Sequence, residues 1–481
     1  MRHQIPEQRW RQRLGPDLAP RLDAMGEAIE RCVHCGFCLA TCPTYRVLGE
    51  EMDSPRGRIF LIKEMLEERL PLDEVLEHLD PCLGCLACET SCPSGVRYRE
   101  LLQPVRTWGE RHRRRGLRGW WVRLRRLALL ESMARPTWFR AALRLGRMAR
   151  PLRGPLRRAS PALAAPLDLV PARIPAAVPL PRSTPARGGR RGGVLLLAGC
   201  VQQVLEPRLA AAVVEVLARN GVEVVVPEDQ GCCGALALHV GEEGRARRLA
   251  RRNLRAFAPV TAAESDFDAL IVCAAGCGSG LQEHAALFAG SEHPENPEHS
   301  QRSESVEQAE RAAAERLAAR TLDATTFLDR LGLIEIPAPL SRPLRVAVHD
   351  PCHLLHAQRE RSAPRRLLAS IPGVELVEPR DAEVCCGSAG LYNLEWPRIA
   401  GELGRRKAES LLEPEPDLIA SGNLGCSVQL RVTLEAAARR RGDAPPVWHP
   451  LEILAAAYRG ELDDLPRRVE GARTGSRPWP P

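Results

Sequence analysis

The chain has 481 residues, 17 of them cysteine, and a formal net charge of +8 that comes mainly from arginine. Its length suits about three domains of roughly 150 residues each. Apolar runs such as Val194 to Ala198 and Ala269 to Ala275 fall far short of the roughly 18 residues of a membrane-crossing helix, and the basic residues form no recognisable nucleic-acid-binding module, so neither a transmembrane protein nor a nucleic-acid partner is expected.

The opening segment, MRHQIPEQRW, lacks the apolar core of a secretory signal, so a reducing, cytoplasmic setting is expected, the kind in which thiols persist. Cys32, Cys35, Cys38 and Cys42 follow the spacing Cys-x2-Cys-x2-Cys-x3-Cys-Pro, and Cys82, Cys85, Cys88 and Cys92 repeat it. Thiolates spaced in this way wrap cubane iron–sulfur clusters, with the fourth cysteine of each run reaching over to the other cluster. The expected ligand sets are Cys32, Cys35, Cys38 and Cys92 for one [4Fe–4S] cluster, and Cys82, Cys85, Cys88 and Cys42 for its partner. Structural zinc fits less well, because a tetrahedral site built from Cys-x2-Cys pairs has no use for a third cysteine at the next x2 step.

Between the motifs, Ile59, Ile62, Met65 and Leu66 recur at helical spacing. Ser54 and Pro55 suit an N-cap and first turn, and Pro71 breaks the run before a second short helix. Residues 1–110 therefore read as a helical ferredoxin-type domain.

Residues 111–192 read as a basic amphipathic helix followed by a linker. Trp120, Trp121, Leu124, Leu127 and Leu130 fall on one helical face, opposite the arginines. Such a helix either docks on an anionic membrane surface or a partner, or packs on the body of the protein with its arginines in water. The Pro/Ala-rich stretch after it suggests an extended, semi-rigid connection.

An internal repeat follows, over residues 193–335 and 336–463, with a polar tail over 464–481. Cys200, the pair Cys232-Cys233 and Cys277 in the first copy match Cys352, the pair Cys385-Cys386 and Cys426 in the second. Each cysteine follows a strand-like stretch, and helical patterns lie between, so two parallel α/β sheets are expected with their cysteines at the carboxyl edge, where open sheets hold ligands. These eight cysteines are candidate ligands for further iron–sulfur clusters, against the alternative that they are ordinary buried thiols. His349, Asp350 and His353, which flank Cys352, and His239, which follows the first pair, are weaker candidates. Cys273 is expected to be a buried strand residue. The polar insert over 291–320 shows no metal pattern and reads as a loop leading into an alanine-rich helix.

The runs CVHCGFCLATCPTYRVLGEEMDSPRGRIFLIKEMLEE, CLGCLACETSCPSGVRYRELL and CCGSAGLYN resemble the iron–sulfur subunits of bacterial glycolate oxidases over most of the chain. More broadly, the cysteine-rich (CCG) repeat is similar to that of the heterodisulfide reductase family, whose fuller repeats end in Cys-x2-Cys. Here the first copy ends Cys273-x3-Cys277, and the second has Gly422 where the first has Cys273.

The resemblance implies an α+β multidomain chain, with a two-[4Fe–4S] ferredoxin module followed by two α/β CCG domains. It also implies an electron-transfer role beside FAD-containing subunits that oxidise glycolate to glyoxylate, with delivery to a quinone or other acceptor; the membrane-docking reading of the basic helix would add peripheral contact with the inner face of the membrane. Service to a glycerol 3-phosphate or D-lactate dehydrogenase, and disulfide reduction at the repeat, are the competing readings. The glycines before Val194 precede a strand instead of following one, so no dinucleotide fingerprint is present and this chain is not expected to carry the hydride chemistry.

Overall fold

A computed structural model describes residues 5–14, 18–113, 117–159, 161–262, 265–288, 297–438 and 444–465. The first part is helical. Helix Pro55–Leu66 starts where Ser54 Oγ accepts the Gly57 N–H at 3.0 Å, and it buries Ile59, Ile62, Met65 and Leu66. These residues meet Leu22, Met25 and Ile29 of helix Leu22–Glu30, Val75 and Leu79 of helix Leu72–Leu79, and Leu101 and Val105 of helix Arg99–Arg113 in one core. Trp10 closes that core, 2% exposed, edge-on to Trp108 at 4.9 Å and donating its indole N–H to the Leu66 carbonyl.

Nine strands follow among the described residues: β1 Ser183–Thr184, β2 Gly192–Leu196, β3 Val222–Val225, β4 Ala269–Val272, β5 Thr321–Asp323, β6 Leu344–His349, β7 Val374–Val377, β8 Leu418–Ser421 and β9 Val447–Trp448. They form two sheets with the orders β1-β3-β2-β4-β5 and β7-β6-β8-β9. All pairings are parallel except the short β1–β3 edge. The repeat in the sequence is thus a repeat of topology: β3-β2-β4-β5 corresponds to β7-β6-β8-β9.

Alternation along the strands sorts their side chains. Val194, Leu196 and Ile271 of the first sheet join Val346, Val348 and Leu418 of the second in one central core. That core also takes in helices Pro207–Arg219, Ala324–Leu331, Ser362–Ala369 and Pro450–Tyr458. Leu195 and Leu270 point the other way, into the layer that holds Cys232 and Cys233, while Ala347 and Ile419 point to the layer that holds Cys386 and Cys426. The two repeats therefore share a back, and the four matched cysteines of each copy lie off it, while Cys273 of the first copy lies in it.

The segment between the ferredoxin-type domain and the sheets departs from the sequence reading in two ways. It contains helices Leu117–Ala134, Pro136–Ala149 and Pro161–Asp168, so part of the expected linker is helical; alanines favour it and Pro161 is preset for a first turn. The amphipathic face is also split. Leu130 is buried and Leu127 half-buried, as the packed reading requires, and Arg125 is exposed. Arg126, however, pairs with Glu110 at 2.7 Å and with Glu395, and Arg123 pairs with Glu242 at 2.8 Å, so these two arginines face the body while Trp120, Trp121 and Leu124 are exposed.

Helix Pro297–Arg320 leads directly into β5 and buries Ala314 and Leu317; the start of the polar insert and the tail beyond residue 465 lie outside the described residues. Replacing Trp10 with alanine removes a fully buried aromatic and its hydrogen bond, and is expected to destabilise the ferredoxin-type domain by about 3–5 kcal/mol, read as a lowered first thermal transition with the second part of the chain unchanged.

Candidate metal centres

The two cysteine motifs fold alike. His34 and Gly36 in the first, and Gly84 and Leu86 in the second, all have positive φ, and short helices Phe37–Thr41 and Ala87–Thr90 start directly after. A histidine and a leucine held in the left-handed region carry backbone strain of the sort found at ligand sites. The winding brings Cys32, Cys35, Cys38, Cys88 and Cys92 to the wall of one pocket. Cys92 crosses from the second motif to the first, and its field acts on Cys32. Conversely Cys42 stands close enough to act on Cys38, Cys85 and Cys88. The thiols of the two motifs thus gather across the motif boundary and offer the soft, all-sulfur donors that iron–sulfur clusters take.

Cys82 has a distinctive setting. It accepts the Gly84 N–H at 3.4 Å and the Tyr98 hydroxyl at 3.9 Å. The Arg58 guanidinium reaches Cys42 Sγ at 4.0 Å and Thr44 Oγ1 at 3.1 Å, and Arg106 bonds the Cys82 carbonyl. Burial opposes the Cys82 thiolate, but Arg58, Arg106 and these donors outweigh it and hold the thiol below its usual value. For Cys85 and Cys88, burial dominates and pushes the thiols well up. Sequence reading passed over Arg58, Tyr98 and Arg106. Arg58 had a signal: it is the one charged residue among the buried side chains of helix Pro55–Leu66.

The second motif is seated in the seam between the repeats. His239 bonds the Leu83 carbonyl at 2.8 Å, and His353 bonds Ser279 Oγ and the backbone of Gly84. Burial drives His239 down to about 3 and His353 down to about 4, so both act as neutral rings. Thr90 Oγ1 meets His356 Nδ1 at 2.8 Å and Arg99 meets Glu283 at 3.4 Å. As a result Cys85 packs in one cluster of buried side chains with Cys352 and Cys385. That contact between the two halves of the chain is not visible in either motif alone.

All eight repeat cysteines, Cys200, Cys232, Cys233, Cys277, Cys352, Cys385, Cys386 and Cys426, line a single cavity of about 400 Å³. Each lies past the carboxyl end of a strand, as open sheets place their ligand sites. Cys277 and Cys426 sit in the first turns of helices Ala275–Gln282 and Leu424–Ala438. Gly234 and Gly387 end the Cys-Cys-Gly turns at φ +84° and +86°; a Cβ on Gly387 would meet the Ala400 carbonyl at 2.8 Å.

Cys200 donates to Cys232 across 3.4 Å, which together with Cys233 lowers the Cys232 thiol well below its usual value. In the second repeat Cys352 donates to Cys385 across 3.8 Å. The two sites face each other because Ala275 N–H bonds the Gly422 carbonyl at 3.2 Å and Gly276 N–H bonds Asn423 Oδ1 at 3.2 Å. Apolar side chains from the basic helices, Met133, Phe139 and Leu143 among them, roof the cavity.

The remaining candidates separate by their partners. Asp350 is bound by Arg365 at 2.7 Å, and His239 and His353 are committed to the seam. Cys273 sits in the central core and is not among the cavity's lining residues. His349 differs, being buried with neither ring nitrogen bonded among the described residues.

Comparison with known proteins fits this arrangement. Residues 28–96 match a 4Fe-4S dicluster domain, and residues 194–282 and 346–431 each match a cysteine-rich domain. "Glycolate oxidase iron-sulfur subunit" of Escherichia coli (strain K12) is 35% identical over 433 residues, 90% of this chain and 95% of that protein. "Probable glycolate oxidase iron-sulfur subunit" of Bacillus subtilis (strain 168) is 32% identical over 84% of this chain and 88% of that one. "Lactate utilization protein A" of Shouchella clausii (strain KSM-K16) is 28% identical over 54% of this chain and 98% of its own length. With both halves matched in order and the identity sustained along nearly the whole length, the chain is an iron–sulfur protein that belongs to the glycolate oxidase iron-sulfur subunit family.

Proposed function

We propose that the chain is the electron-transfer subunit of a glycolate-oxidising complex. In this reading it takes electrons from a FAD-containing partner that converts glycolate to glyoxylate and delivers them to a quinone or other acceptor at the cysteine-lined cavity. The observation that carries the reading is the packing of Cys85 against Cys352 and Cys385, which makes the ferredoxin-type domain and the cavity one continuous thiol-lined path. Cys32, Cys35, Cys38 and Cys92 would hold one [4Fe–4S] cluster, and Cys82, Cys85, Cys88 and Cys42 the other; bound there, the clusters supply one-electron carriers.

The ends of the path differ in the way the task requires. Cys35 is exposed, and Val33 and Phe37 beside it are 67% and 66% exposed. An apolar patch at that point suits a docked partner. Cys85, by contrast, is buried at the inner end. Around Cys82, the Arg58 charge and the Tyr98 hydroxyl favour added negative charge, so these residues raise the potential of the inner set and draw electrons inward.

At the far end, the roof helices expose Trp121 and Trp138, 64% and 57% exposed, together with Leu145, Met148 and Leu152. Over residues 111–158 the chain has sixteen arginines and a single acidic residue, Glu131. No described helix is long and apolar enough to cross a membrane, but a face of tryptophan, leucine and arginine suits the inner surface of an anionic bilayer. A lipid-soluble acceptor would then reach the cavity through its roof.

The reading is tested in a complex reconstituted with the flavoprotein partner. Phe37→Glu is expected to cost at least about 1.4 kcal/mol of docking, a tenfold weaker affinity, and to slow reduction by glycolate while reduction by dithionite is unchanged; equal rates with glycolate would reject the entry face. Cys385→Ser should abolish quinone reduction, and full retention would remove the cavity from the path. Tyr98→Phe should lower the reduction potential of one of the two clusters and leave the other in place, as followed by redox titration under electron paramagnetic resonance. Trp121→Glu combined with Trp138→Glu should abolish binding to vesicles of anionic phospholipid, and undiminished binding would place that face against something else.

A further inference from the structure

The two repeats share strand order and cysteine positions, but one position at the head of each site differs in kind. Counting three residues back from the first cysteine gives Leu197 in the first repeat and His349 in the second. Leu197 belongs to the apolar layer behind its cysteines. His349 ends β6, paired with Ser421 of β8, and is 1% exposed. Neither of its ring nitrogens has a hydrogen-bond partner among the described residues. An imidazole with two unsatisfied nitrogens is costly to bury, which in a folded protein calls for a specific explanation.

The explanation lies beside it. A ring nitrogen of His349 and the sulfurs of Cys386 and Cys426 all lie within 4.8 Å of one another, and all three residues are buried. Bonds of about 2.3 Å to sulfur and 2.0–2.1 Å to nitrogen place two ligands of a tetrahedral ion roughly 3.5–3.8 Å apart. Three donors this close can converge on a single ion with small movements, whereas the terminal thiolates of a cubane each bind a separate iron and stand farther apart. Cys426, in the first turn of its helix, receives the Asn423 amide N–H at 3.3 Å, which fixes the position of its sulfur. Cys386 and Cys426 line the cavity and His349 does not, so the histidine lies on the side of these donors away from the cavity.

We propose that the second repeat holds a single divalent metal ion of borderline softness, Zn²⁺ or Fe²⁺, on His349, Cys386 and Cys426, and that the first repeat, with leucine in the matching place, does not. A mixed nitrogen–sulfur set of this kind suits either ion. The site stands whether or not electrons leave the chain through the cavity, because it rests on the donors alone.

The test uses the full chain purified without oxygen, with zinc, iron and labile sulfide measured together and with Co²⁺ exchanged into the site as a spectroscopic probe. The expected result is one ion per chain beyond the iron matched by labile sulfide. That ion should be lost in His349→Ala and retained in Cys200→Ser, while the paramagnetic signals of the ferredoxin-type domain stay intact in both. His349→Cys should keep the ion and strengthen the sulfur-to-cobalt absorption, which separates loss of a ligand from loss of fold. An ion that persists in His349→Ala with an unchanged cobalt spectrum would overturn the proposal. So would a loss of labile sulfide together with the ion, since that would make His349 part of a multi-iron cluster. Failure of the proposed electron path would appear separately, as unchanged quinone reduction in Cys385→Ser.

Discussion

The rest of the structure depends on how the loop Leu83–Gly84 is held in the seam between the repeats. Two histidines, one from each repeat, bond neighbouring backbone positions of that loop. Both rings are buried deeply enough to remain neutral, so the clamp is a pair of dipolar bonds in a dry seam and not an ion pair that salt would screen. With the loop seated, Cys85 lies in one buried cluster with Cys352 and Cys385. The spacing within each motif gathers sulfur locally, but this clamp joins the two halves of the molecule, as the proposed electron path requires.

Burial works on the thiols in two directions along that path. Cys85 and Cys88 are driven toward the protonated form by desolvation, and Cys82, no less buried, is driven the other way by Arg58, Arg106, Gly84 N–H and Tyr98. A thiolate is the form that binds metal, so a buried sulfur without compensating charge requires an ion to hold it deprotonated. Soft donors, withdrawn from water and balanced by fixed dipoles and arginines, recur at each site.

What the sequence showed depended on whether the information was local. The two cysteine runs, the Ser54 cap, the buried face of Ile59, Ile62, Met65 and Leu66, and the strand-then-cysteine order of each repeat are set by neighbours a few residues apart, and the structure contains all of them. The orientation of the basic helix was not local. An amphipathic pattern gives the angle between two faces but not which face meets the protein, and here Glu110, Glu242 and Glu395 draw Arg123 and Arg126 inward while Leu130 is buried as well. Arg58 was legible only as an oddity on an apolar face, because its partners Cys42, Thr44 and the His78 carbonyl come from outside its helix.

The repeat itself shows why like topology need not mean like chemistry. Strand order and the positions of four cysteines agree between the copies. Two of the positions in which the copies differ, Leu197 against His349 and Cys273 against Gly422, lie at strand ends. Cys273 turns into the shared core, so its loss from the second copy removes a packing thiol, not a donor from the cavity. His349 replaces an apolar neighbour with a nitrogen beside two sulfurs. The cavity is walled by four cysteines from each copy, and the difference between the copies lies behind that wall, at His349.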